Sequence, residues 1–415
     1  MHNQQAWILG FAACSIVACA QSTPQTAAPP DAGIFIGDSG SDAAIIVPDG
    51  STNDAGVGCP AGFTEDGPSH CARWTVAPAG CPPHVLSATL LADGRVFVLG
   101  MENAAIFDPA RDEWHALDFG RRTPLQHTAT LLGDGTVLVV GGAAHSPVSG
   151  VDAPCADALI IDPTMMQVRP QSPMHTPRYS HASVRLPDGR VLVTGGVTGG
   201  AFSAAPDAAS GSPANYTSST EVFEPETGQW TAGPSMIEAR ALHLAILTEG
   251  PQVLVGGSFS RTAGAEFATS ERLDIARGSW HDAVRMVQSS AELLQHSATL
   301  LSNQTVLVLS RSSAARYFPE SNSWILVDNP AGAHSSGHVA SLLPDGNLFI
   351  AGYLSYSGML DPKIYETSTN TFRETINIAD ETGSAAGTAT LLHDRRVLLT
   401  GVSETGAVFF ESRTR

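Results

Sequence analysis

Five histidines recur at one position of a repeated sequence pattern, and they are the residues with the clearest potential for metal chemistry: His127, His181, His243, His296 and His338. Histidine is the commonest metal ligand among side chains. A metal site, however, needs three or four ligands within about 2–2.5 Å of one ion, whereas residues repeated in register are spread over the repeats. We therefore interpret the histidines as packing residues bonded to the backbone or to a neighbouring arginine. We predict no metal site and no cofactor.

Six cysteines form two groups. Cys14 and Cys19 lie in an apolar N-terminal stretch, and four others follow: Cys59, Cys71, Cys81 and Cys155. These four lack the C-x-x-C spacing of a zinc or redox site, so structural disulfides are the better interpretation. Four cysteines allow three pairings, and proximity in the sequence favours Cys59 with Cys71.

The first twenty residues resemble an export signal. Residues 6–18 form an apolar segment that is too short for a stable membrane span. Residues 16–19 read I-V-A-C, which is similar to a bacterial lipobox whose cysteine, here Cys19, becomes lipidated. The same stretch also fits an ordinary A-x-A cleavage site. We expect an exported protein, either a lipoprotein of the outer membrane or cell surface, or a secreted or periplasmic protein.

Composition divides the rest of the chain and limits its partners. After the signal (residues 1–20), residues 21–57 are rich in Ala, Asp, Gly, Pro, Ser and Thr and predict a disordered tether. A cysteine-bearing lead-in (58–71) and a folded domain (72–415) follow. Forty glycines and 27 prolines indicate a loop-rich β protein. The net charge of −18 argues against nucleic acid as a partner and leaves the lipid anchor as the only expected membrane contact.

The folded domain repeats one hairpin. In residues 127–142, reading HTATLLGDGTVLVVGG, two apolar runs flank Asp134-Gly135, a pair that favours a two-residue type I′ turn. Related hairpins start about 50 residues apart on average, at Leu86, His181, His243, His296, His338 and Gly387.

Each hairpin is followed by a variable loop and a third apolar strand. A bulky residue then begins a fourth strand in six units: Trp114, Val168, Trp230, Trp280, Trp324 and Phe372. The seventh unit lacks this residue, because the chain stops at Arg415. Residues 73–78 (RWTVAP) read like residues 229–234 (QWTAGP). We therefore predict that an N-terminal strand completes the C-terminal unit and closes the ring.

The repeated unit resembles the kelch repeat in three features: a hairpin that ends in a glycine pair, a strand that ends in an acid and proline, and a tryptophan six residues later. The resemblance covers residues 72–415 and implies an all-β, seven-bladed kelch-type β-propeller, similar to the central domain of galactose oxidase. Arg178 and Arg240 stand where kelch repeats often carry an arginine. Most kelch propellers are binding platforms, and a minority are enzymes such as galactose oxidase and sialic acid mutarotases, so the fold does not decide function.

The enzyme alternative makes specific demands on residues. Galactose oxidase implies copper held by two tyrosines and two histidines, with one tyrosine crosslinked to cysteine. Tyr179 with His181 is the nearest local match, while Cys81 and Cys155 are better assigned to a disulfide because both fall in loops of one face, in neighbouring blades. No spacing identifies an acid–base pair for a mutarotase. The balance favours a binding module, with a carbohydrate-active oxidase or mutarotase as the alternative.

Strand direction separates two faces of the predicted ring. The tight Asp-Gly turns and the third-to-fourth connections share one face (the turn face). The longer second-to-third connections and the links between blades share the other (the loop face), where we expect recognition. The predicted partner is a protein or a glycan, bound by a monomer. The candidate ligand-binding residues are Phe202, Tyr216, Arg261, Arg311, His334, Tyr353 and Tyr356.

Overall fold

The structure, a computed structural model, describes part of the chain, and in that part every regular element is a β-strand. No apolar helix long enough to cross a membrane occurs among these residues. The signal, the tether and Cys19 lie outside them. The described residues are 59–66, 70–145, 152–199, 215–257, 269–283, 297–310, 314–327, 338–351, 362–376, 387–401 and 406–414.

Two strands precede the first blade, and the blades then follow in chain order. The strands of this N-terminal pair and of blades 1 to 3 are β1 (Thr64–Glu65), β2 (His70–Val76), β3 (Val85–Leu90), β4 (Val96–Gly100), β5 (Ala104–Asp108), β6 (Glu113–Leu117), β7 (Thr128–Leu131), β8 (Val137–Val140), β9 (Ala143–His145), β10 (Asp152–Pro154), β11 (Ala158–Asp162), β12 (Gln167–Gln171), β13 (Ala182–Arg185), β14 (Val191–Thr194), β15 (Thr220–Glu224) and β16 (Gln229–Ala232).

Blades 4 to 7 repeat the same order. Their strands are β17 (Leu244–Thr248), β18 (Gln252–Gly256), β19 (Ser270–Asp274), β20 (Ser279–Ala283), β21 (Ser297–Leu300), β22 (Val306–Leu309), β23 (Ala314–Phe318), β24 (Ser323–Val327), β25 (Val339–Leu342), β26 (Leu348–Ala351), β27 (Lys363–Glu366), β28 (Thr371–Glu374), β29 (Thr388–Leu391), β30 (Val397–Thr400) and β31 (Ala407–Thr414).

Seven antiparallel sheets form a closed ring. Blades 1 to 6 each contain four strands, and in each blade the first strand of the predicted hairpin lies innermost. The inner strands contact one another in sequence from β3 to β29, and β29 contacts β3 again. This arrangement confirms the predicted seven-bladed propeller.

The ring closes as predicted. Strand β2 pairs antiparallel with β31 along its whole length, from His70 opposite Thr414 to Val76 opposite Val408. The lead-in adds β1 outside β2, so the sheet of blade 7 contains five strands. An N-terminal strand therefore supplies the partner that the last strand of the chain would otherwise lack.

The hairpin turns differ from the type I′ prediction. In the turn of blade 2 Gly135 has a positive φ of 85° and Asp134 does not. Gly135 N–H donates to Leu132 C=O, and Leu132 N–H donates to Thr136 C=O at 2.8 Å. This pattern fits a three-residue loop with a G1 bulge. The Asp134 carboxylate accepts from the Thr136 N–H and hydroxyl, which explains why an acidic residue recurs there.

The cores lie between blades, and in five of the seven blades they include an aromatic pair. In these blades a ring of the outer strand packs on a ring of the neighbouring strand, as in Phe223–Trp230, where the ring centroids are 5.0 Å apart. Blades 2 and 4 pair Ile161 with Val168 and Leu273 with Trp280 at this position. Tyr317–Trp324 and Phe107–Trp114 repeat this contact at 4.9 Å. The indole N–H of Trp230 also donates to the Ser172 carbonyl before blade 3. These residues explain the repeated anchor in the sequence.

The cysteines correct one expectation. Cys59 is bonded to Cys71, with an S–S distance of 2.07 Å, whereas Cys81 and Cys155 are free thiols. Cys81 lies against Gly406 at the junction of blades 7 and 1, and Cys155 bonds through its backbone to the residues that join blades 2 and 3. The predicted Cys81–Cys155 bridge is wrong because blades 1 and 2 separate the two thiols. Burial raises their pKa values to about 12 and about 11, so both stay protonated and unreactive.

Candidate ligand-binding face

The repeated histidines join neighbouring blades. His127 Nε2 lies 2.9 Å from the Ser87 hydroxyl of blade 1, and its Nδ1 lies 2.8 Å from the Pro124 carbonyl. His181 Nε2 lies 3.0 Å from the Thr128 hydroxyl of blade 2. Four imidazoles therefore follow one rule: the Nε2 of each lies within hydrogen-bond distance of a hydroxyl of the preceding blade. The other two are His243, 2.8 Å from the Thr194 hydroxyl, and His338, 2.9 Å from the Ser297 hydroxyl. The packing interpretation holds for them, and His296 lies outside the described residues.

Burial lowers the pKa of His127 to about 4 and that of His181 to about 3. In the unfolded chain both bind protons near pH 6.5. The unfolded state therefore binds more protons than the folded state between about pH 6.5 and pH 4, and stability should fall as the pH is lowered through this window. His127→Gln should reduce the slope of unfolding free energy against pH by about one proton. Urea titrations from pH 7 to 4 measure it. His115→Gln, at an exposed position, serves as the control and should leave the slope unchanged.

Blades 3 and 4 contain matching buried Arg–Glu pairs. Arg178 Nη2 donates to Glu221 Oε1 at 2.9 Å, and its Nη1 donates to the Gly195 and Ser219 carbonyls. Glu221 also accepts from the backbone N–H groups of His175 and Thr176. Burial raises the pKa of Glu221, but the bonds from the His175 backbone and from Arg178 outweigh burial, and the pKa lies below its ordinary value. The pair fixes the link that enters blade 3.

The pair in blade 4 is built the same way. Arg240 Nη2 donates to Glu271 Oε1 at 2.8 Å, and Glu271 accepts from the N–H groups of Ile237 and Glu238. Sequence reasoning identified the arginines and missed their partners. The signal was present, because Glu221 and Glu271 hold the same position of the third strand in the two blades that carry the arginine.

The glycine pairs permit this close packing. A Cβ at Gly141 would lie 2.6 Å from His181 Cε1 and 2.7 Å from the Arg178 carbonyl of the next blade. Both distances are shorter than van der Waals contact, so a side chain there would push blade 3 away from blade 2.

Two connections of the loop face begin and end in paired backbone segments, which we call necks. In blade 2, β9 and β10 form a short ladder from Ala143 opposite Pro154 to His145 opposite Asp152. In blade 3, the backbone of Val197 forms isolated β-bridges with Tyr179 and with Tyr216. The Thr198 N–H donates to the Asn215 carbonyl at 2.9 Å. These necks extend adjacent blades and hold the ends of the connections at fixed positions.

Tyr216 is the one predicted ligand-binding residue within the described part of the chain. It is half-buried against an apolar cluster that joins blades 1 to 4 at the loop face. The members of the cluster are Leu86, Leu125, Ala143, Tyr179, Val197 and Ala241. Tyr216 therefore combines a packed ring with partial exposure. The other six candidates lie outside the described residues: Phe202, Arg261, Arg311, His334, Tyr353 and Tyr356.

Charged side chains surround these necks. Arg121 pairs with Asp157 at 2.6 Å, and His145 with Asp152 at 3.0 Å; each pair is partly exposed. Exposed Arg122 lies 3.5 Å from the Met101 sulfur. We call these residues, together with Tyr216, the loop patch. It offers guanidinium, imidazole, carboxylate and phenol groups on a fixed base, a set able to bind hydroxyl and amide groups.

Blade 3 carries the motif that decides the type of repeat. Residues 178–237 match the Kelch motif. The match begins at the buried Arg178 and continues through blade 3, one of the seven blades of the propeller. No curated protein sequence matches this chain.

Two solved structures share the fold of this propeller. A fungal alcohol oxidase of the AA5 family, in complex with copper, has a TM-score of 0.54 at 15% identity, over 82% of this chain and 71% of the oxidase. A streptogramin B lyase has a TM-score of 0.57 at 8% identity, over 83% of this chain and 98% of the lyase. Identities this low establish a common fold without a common activity.

The described residues do not fit the copper centre that the galactose oxidase resemblance implies. Tyr179 is buried in the apolar cluster, and His181 directs Nε2 at the Thr128 hydroxyl. Within the described ranges, no three His, Cys, Asp or Glu side chains are arranged to hold a metal. No copper-dependent step follows from these residues.

Proposed function

We propose that this protein is an exported binding module that captures a protein or a glycan on its loop face. The contrast between the two faces of the ring carries the proposal. On the turn face, arginines pair within their own hairpins: Arg190 with Asp188 at 2.6 Å and Arg95 with Asp93 at 2.7 Å. On the loop face, paired backbone in blades 2 and 3 holds the ends of the connections of residues 146–151 and 200–214. Variable connections on a rigid scaffold are where binding proteins place recognition.

The chemistry of the loop patch supports the ligand class. Arg122 and His145 supply exposed donors, Asp157 supplies an acceptor, and Tyr216 supplies a partly exposed ring. Ring faces and bidentate donors suit sugars and polar protein surfaces. The export signal and the tether of residues 21–57 would present this face outside the cytoplasm, at a membrane if Cys19 is lipidated.

Excision of one connection tests the proposal. Replacing residues 200–214 by a short Gly-Ser linker keeps the neck from Thr198 to Asn215 and should leave the melting temperature unchanged. Binding to an array of defined glycans and to purified surface proteins should fall at least tenfold, about 1.4 kcal/mol. Arg190→Gln on the turn face is the matched control and should bind as the parent does. Unchanged binding after the excision would contradict the proposed face, and turnover of an aldose by copper-containing protein would favour the enzyme alternative.

A further inference from the structure

The outer strand of blade 5 exposes an apolar edge. In β24, Ile325 is 41% exposed and Leu326 is 53% exposed. In the corresponding strands of blades 1 to 4 and 6 the same positions carry polar, charged, small or proline residues: His115 and Ala116 in β6, Arg169 and Pro170 in β12, Thr231 and Ala232 in β16, His281 in β20, and Arg373 and Glu374 in β28. In blade 7, β2 carries Thr75 and a single exposed apolar residue, Val76, so β24 is the described outer strand with two adjacent large apolar residues exposed. Charges and prolines protect sheet edges from pairing with another strand. Strands β16 and β24 have neither, but β16 carries Thr231 and Ala232 where β24 carries Ile325 and Leu326.

In blade 7 the outer strand of the ring, β2, is partly covered by a further strand. There the lead-in covers part of β2 with β1 and is fixed to the neighbouring blade 6, because Asp66 accepts from Arg373 at 2.8 Å. Blade 5 is the next blade around the ring. The described part of the lead-in therefore lies one blade away from the edge of β24.

The tether contains a segment suited to that edge. Residues 43–47 read A-A-I-I-V, between Asp42 and Pro48. The β-branched residues at 45–47 favour a strand, and the five residues match the length of Ser323–Val327. Residues 48–58, when extended, span about 35 Å at roughly 3.3 Å per residue, which is enough to reach past one blade.

A tethered occupant suits this edge better than a second copy of the chain. A stable bimolecular interface buries about 1,000 Å² or more, and one five-residue edge is small against that requirement. A segment linked through so few residues is present at a millimolar effective concentration, so a small apolar patch with backbone hydrogen bonds suffices to hold it.

We infer that residues 43–47 pair with β24 as an additional outer strand of blade 5. The pairing covers Ile325 and Leu326 and provides a partner for the outer edge of β24, which pairs with no further strand among the described residues. It also attaches the tether at a second point, which fixes how the propeller is oriented on whatever precedes residue 43. This inference does not depend on the proposed ligand.

Hydrogen exchange tests the pairing in the chain from residue 21 to 415 with its Cys59–Cys71 bond intact. Amides of Ser323–Val327 should exchange about tenfold more slowly than in the same chain carrying Ile46→Asp. Ile36→Asp, in the other apolar run of the tether, is the matched control and should keep the protection. Loss of protection in both variants, or in neither, would overturn the assignment to residues 43–47.

A crosslink identifies the occupant. In a chain carrying Ile46→Cys and Leu326→Cys, oxidation should give a monomer with a new internal disulfide, seen by peptide mass under non-reducing conditions. The variant with Leu326→Cys alone is the control and should stay uncrosslinked. A covalent dimer in either variant would assign the edge to a second copy, and free thiols at both positions would show an unoccupied edge. Each of these two results overturns the inference.

Discussion

A chain that lacks residues 1–80 should unfold at a much lower denaturant concentration than a chain that lacks residues 1–57. The first truncation removes β2, which pairs with all eight residues of β31 except Ala407, and opens the ring at the last blade. It also removes the buried Cys71 and Ala72. The second truncation removes residues outside the described structure. Urea unfolding of both proteins measures the difference, and equal stability would contradict closure by the N-terminal strand.

Single substitutions in β2 distinguish the contribution of ring closure to stability from a general effect of deleting residues. Trp74 contacts Phe410 and Phe349, with ring centroids 5.0 and 5.9 Å apart, and its indole donates to the Ile376 carbonyl at 2.9 Å. Trp74→Ala should therefore lower the free energy of unfolding by about 2–3 kcal/mol. Val76 is 72% exposed in the same strand, so Val76→Ala is the matched control, with an expected change within about 0.5 kcal/mol.

The architecture was predictable because the repeat encodes it locally. Alternating apolar residues, a recurrent turn acid and an aromatic anchor occur in most units, and each defines a strand or its end. The missing anchor at Arg415 and its counterpart around Trp74 were sufficient to predict the closure. The packing role of the histidines also followed from repetition, since residues in register meet the same neighbours in each blade.

The type of hairpin turn and the pairing of the cysteines could not be predicted correctly from the sequence, for physical reasons. The sequence Asp134-Gly135 is compatible with two turn types, and the choice depends on whether Leu132 or Gly133 ends the ladder, which tertiary register decides. The Cys81–Cys155 expectation failed because two loops on one face need not adjoin. Their distance depends on which blade junction each cysteine enters. Six of the seven candidate ligand-binding residues lie outside the described residues, so the ligand site stays a prediction there.

Two kinds of buried ionisable group contribute to the stability of the ring, the histidines and the Arg–Glu pairs. The stability that each kind contributes depends on pH in a different range. His127 and His181 stay neutral in the folded protein, whereas the unfolded chain protonates them below about pH 6.5, so the fold loses stability as the pH is lowered from there. The carboxylate of Glu221 acts as an anion that is held against the buried Arg178. The ring is therefore expected to be most stable near neutral pH, where both kinds of group have the charge that the structure requires.

Glu221→Gln should destabilise the propeller by about 3–5 kcal/mol, because it leaves the Arg178 guanidinium buried without its counter-charge. Arg178 is fully buried, and the Glu221 side chain is 4% exposed. Glu271→Gln should have a similar effect, since Arg240 and Glu271 are equally buried. Glu113→Gln, at an exposed position of β6, is the matched control and should change the free energy of unfolding by less than about 0.5 kcal/mol.

The pH dependence makes this prediction specific to the charge. The pKa of Glu221 is lowered in the folded protein, so its contribution is present above the unfolded value of about 4.3 and is lost as the pH falls through the lower folded value. The parent protein should therefore lose stability below about pH 4.5 more steeply than Glu221→Gln. Urea unfolding at pH 7 and between pH 4.5 and 3 compares them. A constant difference between the two proteins across this range would mean that the carboxylate acts through packing and hydrogen bonding and not through its charge.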